Sequence, residues 1–287
     1  MFYKIILWIS YLFWSVALSI YSIKLFSSSF NNVTAYGRLR PNTNQNDKSN
    51  DIISSTLRFL YLDREISIHS KYSWSILYFE LITLSFSILI IFNLSIQSKL
   101  VFLCLLIQGI RRFIETMFIQ KHTITYMNIL QFISGIAFYV FVNISLLSED
   151  ITSHTTLRGN SDSIVSIIST ILFIYSSFKQ YQSHVILSNL RPSNNVYKST
   201  QQQQQKPIYQ IPMGGWFGYV SSPHYFAEIL IYLSIVFQYQ FRNLSSWFIL
   251  IFVIFNLTER SIQVHQWYNN KFQNYPKDRY AIIPYLL

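Results

Sequence analysis

Trp74-Ser-Ile-Leu-Tyr-Phe-Glu-Leu-Ile-Thr-Leu-Ser-Phe-Ser-Ile-Leu-Ile-Ile-Phe-Asn-Leu-Ser-Ile96 is the stretch that decides the fold. A helix needs about 20 mostly apolar residues to cross the hydrocarbon core of a bilayer, and this run has that length. It does not stand alone. Working outward, comparable runs occur at Phe2–Phe26, Leu100–Ile119, Ile124–Leu147, Ile164–Leu187, Tyr225–Tyr239 and Trp247–Val264. The sixth in chain order, Tyr225–Tyr239, is short and fits a shallow or tilted helix. Within lipid the backbone must satisfy its own hydrogen bonds, so all seven runs are expected to be helices. The expectation is an all-α integral membrane protein with seven transmembrane helices. It divides into 1–70 (first span and following loop), 71–163 (second to fourth spans) and 164–287 (the last three spans and a tail).

Composition agrees. The chain is 51% hydrophobic and 12% charged, with a mean hydropathy of +0.27, whereas an ordinary soluble domain is roughly 25% charged. Aromatics make up 18%, which suits a protein with many positions at the membrane interface. The only cysteine, Cys104, lies inside an apolar run, which excludes a disulfide framework and a cysteine-based zinc site. It is expected to be a small buried hydrophobe. Lys4 precedes an apolar run that continues into Ile23-Lys-Leu-Phe26 without a small-residue cleavage site, so the run is expected to be a retained span.

The formal charge of +10 resides mainly in loops. Ser27–Ser70 carries Arg38, Arg40, Lys48, Arg58 and Arg64. Arg191–Pro212 carries Arg191, Lys198 and Lys206, and the tail carries Lys271, Lys277 and Arg279. The loop Glu149–Ser163 is instead acidic, with Glu149, Asp150 and Asp162 against Arg158. Seven spans place every basic segment on one side. The positive-inside rule makes that side, and the C-terminus, cytosolic. The charge therefore needs no nucleic-acid partner, and the bilayer itself is the expected one. Asn42–Asn50 and Gln201–Gln205 are low-complexity loop insertions.

Ionisable residues within spans are costly and mark candidate sites. The third span ends Gln108-Gly-Ile-Arg111-Arg112-Phe-Ile-Glu115, which puts Glu115 one helical turn from both arginines. The fifth ends with His184, Asn189 and Arg191. The sixth opens Pro223-His224-Tyr225-Phe-Ala-Glu228 and places His224 and Tyr232 one turn either side of Glu228. The seventh carries Glu259, Arg260 and His265, then Trp267 and Tyr268. Polar groups thus converge near one membrane face, which predicts a site there. There is no glycine-rich dinucleotide fingerprint, P-loop, zinc-protease helix or hydrolase elbow, and no metal cluster is expected. Arginines and tyrosines facing the cytosol suit a phosphorylated soluble cofactor or a lipid headgroup.

The last third of the chain narrows this. Ile211-Pro-Met-Gly-Gly-Trp-Phe-Gly-Tyr-Val-Ser-Ser-Pro-His-Tyr-Phe-Ala-Glu-Ile-Leu-Ile-Tyr232 resembles the signature of the steroid 5-alpha-reductase family. Trp267-Tyr268, Lys271-Phe-Gln-Asn-Tyr-Pro-Lys-Asp-Arg279 and Ile283-Pro284 end as that family ends. His184-Val-Ile-Leu-Ser-Asn-Leu-Arg191, the Ser-Ser-Pro before His224 and Gln108-Gly-Ile-Arg-Arg-Phe-Ile-Glu115 are similar to its polyprenol reductase branch. Tyr36-Gly-Arg38 resembles the short cofactor-covering motif after the first span. The likeness is strongest from Phe178 to the C-terminus.

The resemblance implies a seven-helix membrane reductase using NADPH, with the cofactor site near the cytosolic face. Carried over by motif, Tyr36, Arg191, Tyr209, Glu228, Tyr232, Arg260 and Tyr268 would contact the cofactor. His224 would join them at a position where relatives often have asparagine. Arg191 and Arg260 would hold phosphates and Glu228 the nicotinamide carboxamide. His265, in the family's histidine patch, or a nearby tyrosine would polarise the substrate carbonyl, and Glu115 is a second catalytic candidate. The steroid branch has a substrate-binding Glu–Tyr pair with the tyrosine on the third span. Here that span offers Glu115 and no matching tyrosine, and Gly218 stands where relatives often carry an acid.

Hydride adds readily to the β carbon of an alkene conjugated to a carbonyl, because charge then moves onto oxygen. An isolated alkene offers no such sink. The implied substrate is therefore a long-chain polyisoprenoid enal, polyprenal, on the route from polyprenol to dolichol. The resemblance also implies the endoplasmic reticulum membrane and partner enzymes of dolichol synthesis. A steroid enone or trans-2-enoyl-CoA reductase, a non-catalytic lipid-binding scaffold and a membrane methyltransferase are the alternatives.

Overall fold

The protein is described by a computed structural model covering residues 2–26, 67–121, 125–152, 163–191 and 209–287. Tyr36, the Asn-rich and Gln-rich insertions and most of the basic loop after the first span lie outside these residues. The described residues form seven α-helices: α1 (Phe2–Phe26), α2 (Ser70–Ile91), α3 (Ile96–Ile114), α4 (Ile129–Thr152), α5 (Ser163–Asn189), α6 (Pro223–Gln238) and α7 (Leu244–Lys271). Five of them, α1, α2, α4, α5 and α7, are long and apolar enough to cross a membrane. The other two fall short for different reasons. α6 has 16 residues, and α3 interrupts its apolar run with Gln97, Lys99, Gln108, Arg111 and Arg112. One feature was not expected: β1 (Ser67–His69) pairs antiparallel with β2 (Tyr126–Asn128) and ties the entry of α2 to that of α4.

Local chemistry sets the helix ends. Ser95 breaks the apolar run that the sequence reading carried through to Ile96. Its side chain accepts from the Ser98 N–H and starts α3. Asn243 caps α7 in the same way, 2.7 Å from the Ser246 N–H. Pro223 occupies the first turn of α6, where a missing N–H costs nothing. The α6–α7 reversal passes through Gln240 and Phe241 at φ 53° and 65°, a left-handed conformation that non-glycine residues rarely adopt.

The helices alternate in direction, so their ends gather into two sets. At one end Ser95 at the start of α3 meets Asp150 of α4, Ser98 meets Tyr239 after α6, and Glu149 of α4 meets the start of α7. At the other end the exits of α3 and α5 meet the start of α6. α5 lies along α6, α2 along α3, and α1 against α4 and α7.

The core between them is built around Trp14, Leu77, Leu81, Phe102, Val142, Leu146, Ile235, Tyr239 and Ile249. Small residues let helices approach: a Cβ on Gly109 of α3 would lie 2.9 Å from Ile82 Cγ1 of α2. The outer surface remains apolar, with Phe79, Phe86, Ile90, Ile91, Ile167, Ile171 and Ile174 all exposed. So large an apolar exterior is a lipid-facing one.

Two expectations are corrected. Glu149 and Asp150 do not belong to an acidic loop; they close α4 and are 5% and 1% exposed. Their carboxylates accept backbone N–H groups. Asp150 takes that of Ser95 (3.2 Å) and Glu149 those of Leu244 (2.5 Å) and Ser245 (2.6 Å). Glu149 thereby neutralises the positive end of α7. Apolar periodicity could not reveal this, because the partners are distant in sequence. Cys104, expected to be buried, is half-buried on α3.

Candidate functional site

The second set of helix ends holds a polar cluster. α3 closes in a π-helical turn, Glu115–Ile119, whose Gln120 N–H reaches the Glu115 carbonyl at 2.8 Å. Such turns recur at functional sites. Helical spacing sets Arg111 and Arg112 on the face of Glu115, and both guanidiniums pair with it, Arg112 at 2.5 Å. From α5, His184 Nδ1 lies 2.7 Å from Glu115 Oε2. Glu115 is 1% exposed and both of its oxygens are engaged. It is therefore held as the fixed counter-charge of two arginines.

Arg111 extends the network to Gln108 Oε1 at 2.7 Å and to Gln180 of α5. Both glutamine amides then donate to one oxygen of Glu228 on α6, that of Gln108 at 3.3 Å. No described residue donates to the other oxygen, Oε1, so this carboxylate keeps an open acceptor. His224 and Tyr232 flank Glu228 along α6 as the spacing requires. The His224 ring is 5.6 Å from that of His184, and the buried Tyr232 packs on Phe138 at 6.1 Å. Glu115, His224, Glu228 and Tyr232 are thus brought into one neighbourhood.

The remaining candidates lie around it. His265 Nδ1 is 2.6 Å from the Ser221 hydroxyl, which also meets Tyr275 Oη at 2.7 Å. Ser221 lies two residues before the start of α6, so this contact joins the late part of α7 to the segment carrying His224 and Glu228. Tyr268 is buried and stacks on Tyr275 at 5.2 Å and 4°. Tyr209 is half-exposed and meets Trp267 edge-on at 5.0 Å. Arg260 Nε donates to Asn256 at 3.3 Å. Arg191 sits apart, past the end of α5, where it donates to the Lys121 carbonyl. Tyr36 lies outside the described residues.

Two participants escaped the sequence reading. Gln180 is a polar residue in an apolar span and carried that signal. Tyr78 of α2 accepts from Arg112 Nη2 at 2.8 Å, but nothing distinguishes it in sequence from the other aromatics of its run.

An open carboxylate acceptor at one end of an apolar bundle suits the amide of a nicotinamide, while Arg111 and Arg112 are already paired with Glu115. The arrangement is a polar cluster at one end of the helix bundle. The family described as 3-oxo-5-alpha-steroid 4-dehydrogenase matches residues 125–287. The chain belongs to this steroid 5-alpha-reductase family. It is similar to the polyprenal reductase of Homo sapiens (32% identical over 205 residues, 68% of this chain and 61% of that one). It is also similar to the polyprenal reductase of Ailuropoda melanoleuca (31% over 205 residues, the same shares) and to polyprenal reductase 1 of Oryza sativa subsp. indica (31% over 223 residues, 66% and 59%). The matched part of the chain spans about three fifths of the length of these curated relatives. Reductases of the family are generally NADPH-dependent.

Proposed function

We propose that the protein is an NADPH-dependent reductase of the α double bond of polyprenal, producing dolichal on the way from polyprenol to dolichol. The observation that carries this reading is the open oxygen of Glu228, fixed by Gln108 and Gln180 at the polar end of an apolar bundle. The likeness to polyprenal reductases supports the substrate.

Glu228 would accept the carboxamide N–H of the nicotinamide. Arg260 and Arg191 would meet phosphates, and Tyr36, Tyr209, His224, Tyr232 and Tyr268 would complete the enclosure. When bound, the cofactor supplies the hydride. The two glutamine donors deny the carboxylate any freedom to rotate, so it is preorganised. Glu115 holds Arg111 and Arg112 in place and keeps their charge local. The helix core excludes water, while the isoprenoid tail remains in lipid. His265, oriented through Ser221, is the candidate proton carrier beside the site. All seven helices would span, α3 and α6 with the help of their neighbours, and the cofactor end and the C-terminus would face the cytosol. The proposed setting is the endoplasmic reticulum membrane, alongside other enzymes of dolichol synthesis that serve protein N-glycosylation.

The test is NADPH oxidation by the purified chain in lipid with polyprenal, coupled to product mass. Saturation of the α double bond alone, in step with NADPH consumed, is the expected result. Equal turnover of pure polyprenol with no aldehyde accessible would overturn the enal as direct substrate. Turnover only of a steroid enone or an enoyl-CoA would move the substrate class.

A further inference from the structure

We propose that Tyr78 is the hydrogen-bond donor to the carbonyl oxygen of the substrate, a catalytic residue contributed by α2. The inference rests on the enal reductase reading above and assigns its electrophilic group. A guanidinium only donates. In the 2.8 Å contact between Arg112 Nη2 and Tyr78 Oη, the phenol oxygen is therefore the acceptor. Its own hydrogen must point elsewhere, and no described residue accepts it. Tyr78 is 5% exposed, so bulk water does not freely take that hydrogen either. A buried donor with no acceptor is costly unless a ligand supplies one.

The surroundings suit an isoprenoid head. Tyr78 stacks on Trp74 at 5.9 Å and meets Tyr139 edge-on at 6.3 Å. Tyr139 continues to Phe138 at 5.2 Å, and Phe138 to Tyr232 at 6.1 Å. This chain of aromatic contacts runs from the donor to the helix that carries Glu228. Arg112 also sits over the Tyr78 ring, with its central carbon 5.0 Å from the centroid, and Glu115 fixes that guanidinium. The cation withdraws electron density from the phenol oxygen and makes its O–H the stronger donor.

The step balances simply. A hydride from the dihydronicotinamide forms a C–H bond at the β carbon. The alkene pair moves between the α carbon and the carbonyl carbon, and the carbonyl pair moves onto oxygen. There the Tyr78 O–H stabilises the enolate. A proton that reaches the site from solvent by way of His265 then forms the α C–H bond as the carbonyl returns. Substrate gains one hydride and one proton, the dinucleotide is oxidised, and Tyr78 ends unchanged.

The experiment uses the full chain in lipid. Tyr78→Phe is expected to lower kcat with polyprenal by about 10²–10³-fold, the usual loss of one such donor, while NADPH still raises the melting temperature as in the natural protein. The independent readout is the infrared stretch of a ¹³C-carbonyl enal bound with NADP⁺. It shifts to lower frequency in the natural protein and not in Tyr78→Phe. Replacing Tyr78 by trifluorotyrosine keeps the donor but makes it more acidic. Activity is expected to persist and then fall at a lower pH than in the natural protein, which a packing role would not produce. Turnover retained by Tyr78→Phe, or the same carbonyl shift in both proteins, overturns the proposal and leaves the reductase reading intact. A natural protein showing neither turnover nor a carbonyl shift with the enal overturns both.

Discussion

Arg112 Nη1 lies 2.5 Å from Glu115 Oε2, one helical turn along α3, with Glu115 only 1% exposed. The pair is desolvated, and Arg111 and His184 crowd the same carboxylate. Removing the acid strands two cations in a low-dielectric interior. Glu115→Ala is expected to destabilise the folded protein by about 3–5 kcal/mol, the usual cost of breaking a buried pair. The loss is measurable as a lower melting temperature in detergent, with or without NADPH. A variant as stable as the natural protein would show that the carboxylate is dispensable to the fold.

Glu228→Gln tests the cofactor role separately. Gln108 and Gln180 both need an acceptor, so the new amide must turn its oxygen to them. Its NH₂ then faces the open side and opposes a carboxamide N–H. We expect a rise in KM for NADPH and a fall of about tenfold or more in kcat/KM, equivalent to roughly 1.4 kcal/mol. The melting temperature without ligand should stay near that of the natural protein. Unaltered NADPH kinetics would remove Glu228 from the cofactor site.

At the far end, Glu149 offers a contrast. It accepts the backbone N–H groups of Leu244 and Ser245 at the start of α7. Glu149→Ala is expected to cost about 2–3 kcal/mol from lost charge-assisted bonds. Because this end is remote from Glu228, the NADPH-dependent rise in melting temperature should be unchanged in size. A diminished rise would mean that the two ends are coupled.

Ser221 joins His265 to Tyr275. Ser221→Ala leaves the imidazole without that partner and is expected to lower stability by about 1 kcal/mol. If His265 moves protons beside the site, the pH profile of kcat should change as well. A stability loss with an unaltered profile would assign His265 to packing alone.

Apolar run length exposed the helices. Seven apolar runs, the sixth of them short for a span, correspond to seven helices among the described residues, five of which are long and apolar enough to cross a membrane, because helix hydrogen bonds and lipid burial are local properties that a window can read. Boundaries were less legible. Ser95 ends one run and starts another only because its side chain caps α3 while Asp150 holds its N–H and hydroxyl. Glu115, His184 and Glu228 were visible as ionisable residues in apolar context, and spacing alone put Arg111 and Arg112 on the face of Glu115.

The sequence by itself determined the membrane class, the seven helices found among the described residues and the end of the bundle where polarity collects, since each follows from residue type and spacing along one helix. Only the tertiary structure decided that Glu149 and Asp150 serve as buried caps, that Glu115 is saturated, and that among the described residues one oxygen of Glu228 meets no donor and the Tyr78 hydroxyl hydrogen no acceptor. Those outcomes depend on partners from other helices, often more than fifty residues away. A hydrogen bond is used up or left open by geometry in space, which no local pattern records.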